Sequence, residues 1–362
     1  MENNTRQSWQ PHLAACAIGS LPYSHPEPAI KLIRENLPQI PHWPQLPRRG
    51  HVEHFIHQYL APLARLSLVT ETPERALRMD QDSPEWAEQL TEFYSVYLPA
   101  AAGEAEALNA FAMPRESALG FYAFLEGLDR YGTGGATVLK GQIAGPLSVA
   151  LNIYDHRRRA AYYDPQLREI LIKTLAMQAK WQVATLGRYG LPVLLFVDDP
   201  GVGAYGASTY VALARDQIVA DLRETVEAIR QAGGIPGVHS CAGVDWGIFL
   251  EAGFDVISFD AYGYFNSLLP YLRDLGTYVN RGGVLAWGMV PTNEVAFGET
   301  LESLARRWEE NVDFLVQKGM DRERLRLQSL ITPSCGTGTL TPDLAEHIYR
   351  LNRQLSDTLR GL

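Results

Sequence analysis

Short apolar runs alternate along this chain with longer amphipathic segments, most regularly in its second half. The apolar runs are rich in β-branched residues and end in glycine, proline or a polar residue, which is typical of buried strands. The amphipathic segments have the period expected of helices that cover such strands. Strands are predicted at residues 14–19, 137–141, 192–198, 235–239, 256–260, 283–288 and 326–331. Helices are predicted at about residues 164–189, 211–232, 244–252, 266–279, 299–318 and 342–359.

Strands that are apolar throughout and separated by helices indicate a parallel sheet covered on both faces. Seven such strands favour an α/β fold of the (β/α)8 TIM-barrel type, in which residues 1–362 form one domain. Residues 1–12 would be an N-terminal extension, and residues 36–125 an insertion-rich region of helices and loops. The eighth strand is predicted within residues 60–125, and the proline-rich residues 36–50 are predicted to be a long loop.

A doubly wound open sheet is the alternative fold. It lacks the usual nucleotide signatures here, because no GxGxxG motif follows the first strand and no GxxxxGK[ST] motif occurs. The absence of these signatures does not exclude the topology, so the barrel is the favoured prediction rather than a demonstrated one.

Composition narrows the range of partners. The chain has 362 residues, and its 32 Lys and Arg against 41 Asp and Glu give a formal net charge of −9. An acidic chain gains little from neutralising phosphates, so nucleic acid is not an expected partner. No apolar run approaches the roughly 20 residues that span a bilayer, and the first residues do not resemble a secretory signal. We therefore expect no membrane partner and a cytoplasmic location.

The chain has three cysteines, Cys16, Cys241 and Cys335. So small and odd a number does not indicate a disulfide framework. Catalytic groups of a barrel lie at the C-terminal ends of its strands, and Cys241 and Cys335 both follow predicted strands. His239 stands two residues before Cys241, so the two side chains project to the same side. Imidazole and thiolate are ligands that zinc prefers, and Asp260 at another strand end would add an oxygen.

The same residues have a structural explanation. An HxC tripeptide is a weak signal alone, and cysteine is often a small buried hydrophobe. Cys16 lies within an apolar strand and is predicted to be a core residue. His51, His54 and His57 share a helical face, and we interpret them as a packed or solvated face rather than a metal triad.

Six motifs taken together carry a resemblance to a known family. In chain order they are IGS at 18–20, KGQIAGP at 140–146, VDDP at 197–200, HSC at 239–241, VISFD at 256–260 and PSCG at 333–336. This ordered set resembles the catalytic half of cobalamin-independent methionine synthase, in a single-barrel core form. That half belongs to a barrel superfamily shared with uroporphyrinogen decarboxylase and the methylcobamide:coenzyme M methyltransferases.

The resemblance implies a cofactor and its ligands. It implies a Zn²⁺ ion held by His239, Cys241 and Cys335, with Asp260 as a possible fourth ligand. The family usually has a glutamate where this chain has Asp260, so the shorter side chain reaches the ion or leaves that position to water.

The resemblance also implies a substrate site. Ile18, Gly19 and Ser20 match the segment that holds the carboxylate of homocysteine. Asp198 matches the catalytic-site acid that meets the substrate amino group. The implied reaction is zinc-dependent transfer of a methyl group to a thiol, with homocysteine giving methionine.

Two departures concern the methyl donor. Residues 288–295 read GMVPTNEV, and no histidine stands where the family has one that serves in proton delivery to the folate donor. The full-length enzyme also carries an additional N-terminal barrel that contributes to the folate site, for which this chain has no room. We therefore expect a methylcorrinoid or methylcorrinoid protein as donor, rather than methyltetrahydrofolate.

Other functions stay open. A coenzyme M-type methyltransferase would share the ligands but act on a sulfonate thiol. A uroporphyrinogen decarboxylase-like enzyme would need no zinc, but it would need arginines at its mouth, for which Arg48 and Arg49 are the candidates. A non-catalytic zinc- or thiol-binding protein would bind the metal without transferring a methyl group.

Overall fold

The computed structural model describes residues 9–210 and 212–362. Residues 1–8 of the expected N-terminal extension, and residue 211 at the start of one predicted helix, lie outside the described residues. The strands are β1 (Ala14–Ala15), β2 (Thr70–Glu71), β3 (Leu77–Arg78), β4 (Leu139–Ala144), β5 (Ile153–Tyr154), β6 (Val193–Asp198), β7 (Ile235–Ser240), β8 (Val256–Phe259), β9 (Val284–Val290) and β10 (Ser329–Pro333). The α-helices are α1 (Pro26–Asn36), α2 (Ala61–Arg65), α3 (Trp86–Ala101), α4 (Ala105–Leu108), α5 (Leu119–Tyr131), α6 (Pro146–Leu151), α7 (Pro165–Gly187), α8 (Arg215–Gln231), α9 (Trp246–Ala252), α10 (Leu272–Asn280), α11 (Leu301–Gln317), α12 (Arg322–Leu327) and α13 (Pro342–Arg360).

Seven strands form one parallel sheet in the order β1-β10-β9-β8-β7-β6-β4. Every neighbouring pair in this sheet is parallel, and helices connect successive strands along most of the chain. This is an α/β fold of the (β/α)8 barrel type, which confirms the predicted fold class. The C-terminal ends of all seven strands lie at one end of the barrel, which we call the mouth.

The gap between β1 and β4 is closed by a segment of the proline-rich region. Ser20 forms an isolated parallel bridge with Gln45, and His42 forms another with Lys140. Gln45 N donates to the Gly19 carbonyl at 3.0 Å, and Lys140 N donates to the Pro41 carbonyl at 2.9 Å. Residues 41–45 therefore occupy the position of the eighth strand.

The prediction of an eighth strand within residues 60–125 was wrong, as was the interpretation of residues 36–50 as only a loop. Within 60–125 the structure has α2 to α5 and the two-residue strands β2 and β3, which pair with β5 in a separate sheet. The closing segment escaped detection because prolines lack the N–H that an ordinary strand donates to its ladder.

Several other boundaries differ from prediction. β1 ends at Ala15 instead of residue 19, and β4 spans Leu139–Ala144 instead of residues 137–141. Residues 326 and 327, predicted to begin a strand, are the last two residues of α12, which begins where the Asp321 side chain accepts from Arg324 N at 2.7 Å. Residues 266–271, predicted as α-helix, belong to a 3-10 segment that contains Pro270. The α-helix begins only at Leu272.

The barrel interior is an apolar cluster that is separate from the apolar layer between the sheet and the helices. It is formed by buried residues of alternate strand positions, namely Ala14, Cys16, Ile18, Ile40, Val138, Leu194, Phe196, Val256, Val284, Ala286 and Leu330. Cys16 is fully buried there, which confirms its prediction as a core residue. Because strand side chains alternate, the same inward face continues upward to the polar residues at the mouth.

Candidate metal centre

Three predicted ligands come together at the mouth of the barrel. His239 lies near the end of β7, Cys241 follows that strand, and Cys335 follows β10. The ligand atoms of the three side chains all lie within 4.8 Å of one another, although β8 and β9 separate the two strands in the sheet. Closure of the barrel thus brings together residues that are almost one hundred positions apart in the chain.

The His239 ring is oriented by the neighbouring strand. β7 and β8 pair with His239 opposite Ser258, and His239 Nδ1 lies 3.0 Å from Ser258 Oγ. The other ring nitrogen, Nε2, is buried and has no oxygen or nitrogen partner. With Nδ1–H donating to the hydroxyl, the Nε2 lone pair is free to bind a metal ion.

The two mouth cysteines interact directly. A hydrogen bond with Cys335, followed by the interaction with His239, lowers the pKa of the Cys241 thiol to about 4. The same hydrogen bond, together with burial, raises the pKa of the Cys335 thiol. These opposite pKa shifts favour a single negative charge shared by the two sulfur atoms. A cation that neutralises the second negative charge would stabilise the doubly deprotonated form.

These donors suit zinc. Two sulfur atoms and an unpartnered imidazole nitrogen match the ligand set that Zn²⁺ prefers, and three protein ligands are typical of zinc sites that also bind a substrate. In residues 9–210 and 212–362, no second group of His, Cys, Asp and Glu ligand atoms converges as closely. The rings of His51 and His54 lie 6.1 Å and 5.4 Å from that of His57, and these residues form no such group.

Asp260 does not join the three-residue group. It follows β8, which ends at Phe259, and its Oδ1 accepts a hydrogen bond from Gly263 N at 2.7 Å. Burial raises the pKa of its carboxyl group. Its assignment as a fourth ligand stays a prediction.

Asp198 and Asp199 end up in different environments. Both Asp199 oxygens are satisfied, since they accept from the backbone N–H groups of Leu147 and Ser148 at 3.0 and 2.8 Å. Asp198 Oδ1, in contrast, is buried and has no hydrogen-bond partner in the described structure. Burial raises the pKa of Asp198 to about 6, and the nearby positive charge of Lys140 opposes that rise. An unpartnered carboxylate at the mouth is suited to receive a cationic group of a ligand.

The turn after β1, residues 18–20, lies beside the loop that carries Cys335. The Ser20 carbonyl accepts from Thr337 N at 3.1 Å, and Ser20 Oγ accepts from Gly338 N at 3.1 Å. Gly19 has a φ of 147°, which a residue with a side chain rarely adopts. A Cβ on Gly19 would lie 2.5 Å from Cδ of Gln142, so only glycine fits there.

Sequence reasoning missed four residues of this region. Ser258 gave no signal beyond its inward position in a predicted strand. Lys140 and Gln142 stood within the KGQIAGP motif but received no role. Tyr59 is buried, and its hydroxyl donates to the Gln142 carbonyl at 3.1 Å.

Comparison with known proteins adds little beyond the fold. No protein-family profile matches the chain, and no curated protein matches it. The B12-independent methionine synthase from Shewanella sp. W3-18-1 in complex with selenomethionine is 16% identical, with a TM-score of 0.47 over 67% of this chain and 67% of its own. The GH113 β-mannanase AaManA from Alicyclobacillus acidocaldarius in complex with ManMIm is 14% identical, with a TM-score of 0.37 over 66% of this chain and 76% of its own. Similarity this distant does not bear on function, and the barrel assignment rests on the strand order described above.

None of the helices in the described part of the chain is both long and apolar enough to cross a bilayer.

Proposed function

We propose that this protein is a zinc-dependent enzyme that transfers a methyl group to a small thiol, with homocysteine as the foremost substrate and methionine as its product. The observation that carries the proposal is the convergence of His239, Cys241 and Cys335 ligand atoms within 4.8 Å at the barrel mouth. Zinc bound there would supply the Lewis acidity that keeps a thiol deprotonated near neutral pH.

The chain's own residues would bind and orient the amino-acid part of the substrate. The unpartnered Oδ1 of Asp198 would accept the substrate ammonium group. The turn at residues 18–20 would take the substrate carboxylate, because its IGS sequence resembles the segment that holds the carboxylate of homocysteine in cobalamin-independent methionine synthase. An ammonium site favours homocysteine over 2-mercaptoethanesulfonate, the substrate of the coenzyme M-type alternative.

The reaction forms a sulfur–carbon bond while the bond between the methyl carbon and its donor breaks. The electron pair of the broken bond stays with the donor, and the thiol proton leaves to solvent. A methyltetrahydrofolate donor needs a proton on its leaving nitrogen, whereas the cobalt of a methylcorrinoid leaves as cob(I) without one. The loop after β9 has no histidine of its own, and the histidine bound to it, His347, uses Nε2 on the Ala296 carbonyl at 3.0 Å. A methylcorrinoid donor, free or protein-bound, is therefore favoured.

The decarboxylase alternative needs free arginines at the mouth. Arg48 Nη2 donates to the Leu340 carbonyl at 2.7 Å, and Arg49 Nε pairs with Glu53 at 2.6 Å. Both candidate arginines are thus bound within the chain, which weakens that alternative.

The test begins with the metal content of the purified protein, followed by methyl transfer to homocysteine from methylcobalamin or from methyltetrahydrofolate. We expect about one zinc per chain and transfer from methylcobalamin. Transfer from the folate alone would overturn the donor assignment. Methylation of 2-mercaptoethanesulfonate but not homocysteine would indicate the coenzyme M-type enzyme. Bound zinc without transfer from either donor would favour a binding protein, and decarboxylation without zinc would overturn the whole proposal.

A further inference from the structure

A charged side chain lies inside the apolar barrel, below the metal centre. Lys140 is in β4 and has no exposed surface. Its Nζ lies 4.5 Å from the centroid of the Phe196 ring, which belongs to the interior cluster. Burying an ammonium group costs much more than burying an apolar side chain of the same volume. A lysine at this position therefore calls for an explanation beyond packing.

The Lys140 ammonium is bound to neutral oxygens. Nζ donates to the Ile18 carbonyl at 2.6 Å, and it lies 3.4 Å from both Gln142 Oε1 and the Gly141 carbonyl. Within residues 9–210 and 212–362, no carboxylate oxygen lies within 4.0 Å of Lys140 Nζ, although Asp198 is near enough to interact with its charge. Its shortest contact is therefore with the turn at residues 18–20.

That turn is fixed on three sides. Lys140 holds the carbonyl of Ile18, and Gln45 N donates to the carbonyl of Gly19 at 3.0 Å. Ser20 accepts from the backbone N–H groups of Thr337 and Gly338. Movement of the turn would therefore displace both the proposed carboxylate site and the loop that carries Cys335.

We propose that Lys140 is a positioning residue, whose ammonium group anchors the Ile18 carbonyl so that the turn at residues 18–20 can receive the carboxylate of an α-amino-acid thiol. The inference rests on the proposed function and refines it, because it makes the enzyme selective for thiols that carry a carboxylate. The substitution K140M keeps a side chain of similar length but removes the hydrogen-bond donor. It would fill the same space and leave the Ile18 carbonyl without its Lys140 partner.

The first test compares K140M with V256A, which alters the same interior cluster but removes no hydrogen bond. We expect K140M to raise KM for homocysteine about tenfold or more, the effect of losing about 1.4 kcal/mol of binding. KM for 3-aminopropane-1-thiol, which lacks the carboxylate, should rise at least tenfold less than KM for homocysteine, because the lost charge of Lys140 acts on Asp198 with both thiols alike. Both KM values of V256A stay within about twofold of wild type. Equal loss with the two thiols, or no loss with either, overturns the proposal.

The second test does not depend on activity. Hydrogen exchange of the metal-loaded protein without substrate is followed in peptides covering residues 13–24 and 326–341, with residues 193–198 as reference. We expect K140M to speed exchange in the first two peptides and not in the reference. If K140M does not fold, K140Q takes its place: its amide is shorter than the lysine side chain and carries no charge, and it is expected to give the same two results. Unchanged exchange in the variant that folds overturns the positioning role.

The two proposals fail differently. A wild-type protein that methylates no thiol rejects the proposed function, while the exchange experiment still decides whether Lys140 holds the turn. An active wild type together with an unaltered K140M rejects only the role of Lys140.

Discussion

His239 Nδ1 and Ser258 Oγ lie 3.0 Å apart because β7 and β8 pair with these two residues side by side. With the proton on Nδ1 and donated to this hydroxyl, the unpartnered Nε2 is free to bind a metal ion together with the sulfur atoms of Cys241 and Cys335. The metal centre is therefore organised by a strand that contributes none of the three converging ligands.

Removal of this hydroxyl should weaken metal binding without dismantling the fold. We expect Ser258→Ala to lower zinc affinity by about 10- to 100-fold, as is usual when the partner of a ligating histidine is lost. Competition with a chelator of known affinity measures the change. Ser240→Ala is the matched control, because Ser240 is a buried serine of β7 whose Oγ has no hydrogen-bond partner. Equal effects of the two substitutions would contradict the role of Ser258.

Substitution of Cys241 or Cys335 should lower the zinc content of the protein, whereas substitution of Cys16 should not. Cys241→Ala and Cys335→Ala each remove one of three converging ligands, so we expect both proteins to purify with well under half the zinc of the wild type. Cys16→Ala leaves the mouth intact and should keep full zinc while losing about 1 kcal/mol of stability from the small cavity. Metal analysis and thermal unfolding are the measurements. Full zinc content in Cys335→Ala would show that the ligand set is different.

Zinc binding should release about one proton at pH 8. The Cys241 thiol, with its pKa lowered to about 4, is already a thiolate, whereas the raised pKa of Cys335 keeps that thiol protonated until the metal binds. Zinc affinity should therefore rise by about tenfold for each unit of pH in this range. Calorimetry in buffers of different ionisation enthalpy counts the protons. A count of two would contradict the depressed pKa of Cys241.

We expect the ionised Asp198 carboxylate to lower the free energy of unfolding and to be necessary for substrate recognition. Because burial raises its pKa to about 6, the ionised carboxylate destabilises the folded protein at neutral pH. We expect Asp198→Asn to raise the free energy of unfolding by on the order of 2 kcal/mol at pH 7. The difference should be complete above about pH 7 and disappear below about pH 3, where the carboxyl is protonated in both the folded and the unfolded state. Urea unfolding at a series of pH values tests this.

The same substitution should impair substrate binding. With no carboxylate to meet the substrate ammonium, we expect KM for homocysteine to rise about tenfold or more while zinc content is unchanged. Wild-type affinity for homocysteine should fall as the pH is lowered through about 6. A variant that is more stable yet binds homocysteine normally would remove Asp198 from the substrate site.

The closing segment of the barrel can be probed from α5. A Cβ on Gly120 would lie 1.9 Å from the Pro44 carbonyl oxygen, whereas a Cβ on Gly127 of the same helix meets nothing within 4 Å. We expect Gly120→Ala to cost about 2–4 kcal/mol and Gly127→Ala to add about 0.5–1 kcal/mol. Chemical unfolding of the two variants gives the comparison. A harmless Gly120→Ala would mean that residues 41–45 do not pack against α5 as described.

The strands and mouth residues were predictable because both follow from local patterns. Runs such as the one that became Val193–Asp198 mark buried strands, and the residue that ends such a strand must lie at the mouth of a parallel barrel. His239, Cys241 and Cys335 were found in this way. Asp260 was placed at a strand end as well, but the strand stops one residue earlier and its carboxylate accepts from Gly263 N.

Features that depend on pairing between distant segments were not predictable. The eighth strand position is defined by its partners Gly19 and Lys140, while its own prolines indicate a loop. The bond between His239 and Ser258 requires the register of β7 and β8, which no local pattern gives. Lys140 contradicts the usual expectation that charged residues face water, and its contact with the Ile18 carbonyl, more than one hundred positions away, follows from no local pattern.

The proline-rich closure at residues 41–45 gives the barrel a weak seam, because isolated bridges there replace a continuous ladder. Local opening should therefore begin at this seam rather than between β7 and β8. Gly19 is hydrogen-bonded to this seam through Gln45. His239 and Cys241, in contrast, lie on the opposite side of the barrel, where neighbouring strands are continuously hydrogen-bonded. On gentle heating, the proposed binding of the amino-acid part of the substrate should therefore weaken first. Because Ser20 holds the loop that carries Cys335, weaker binding of the proposed metal should follow before β7 and β8 separate.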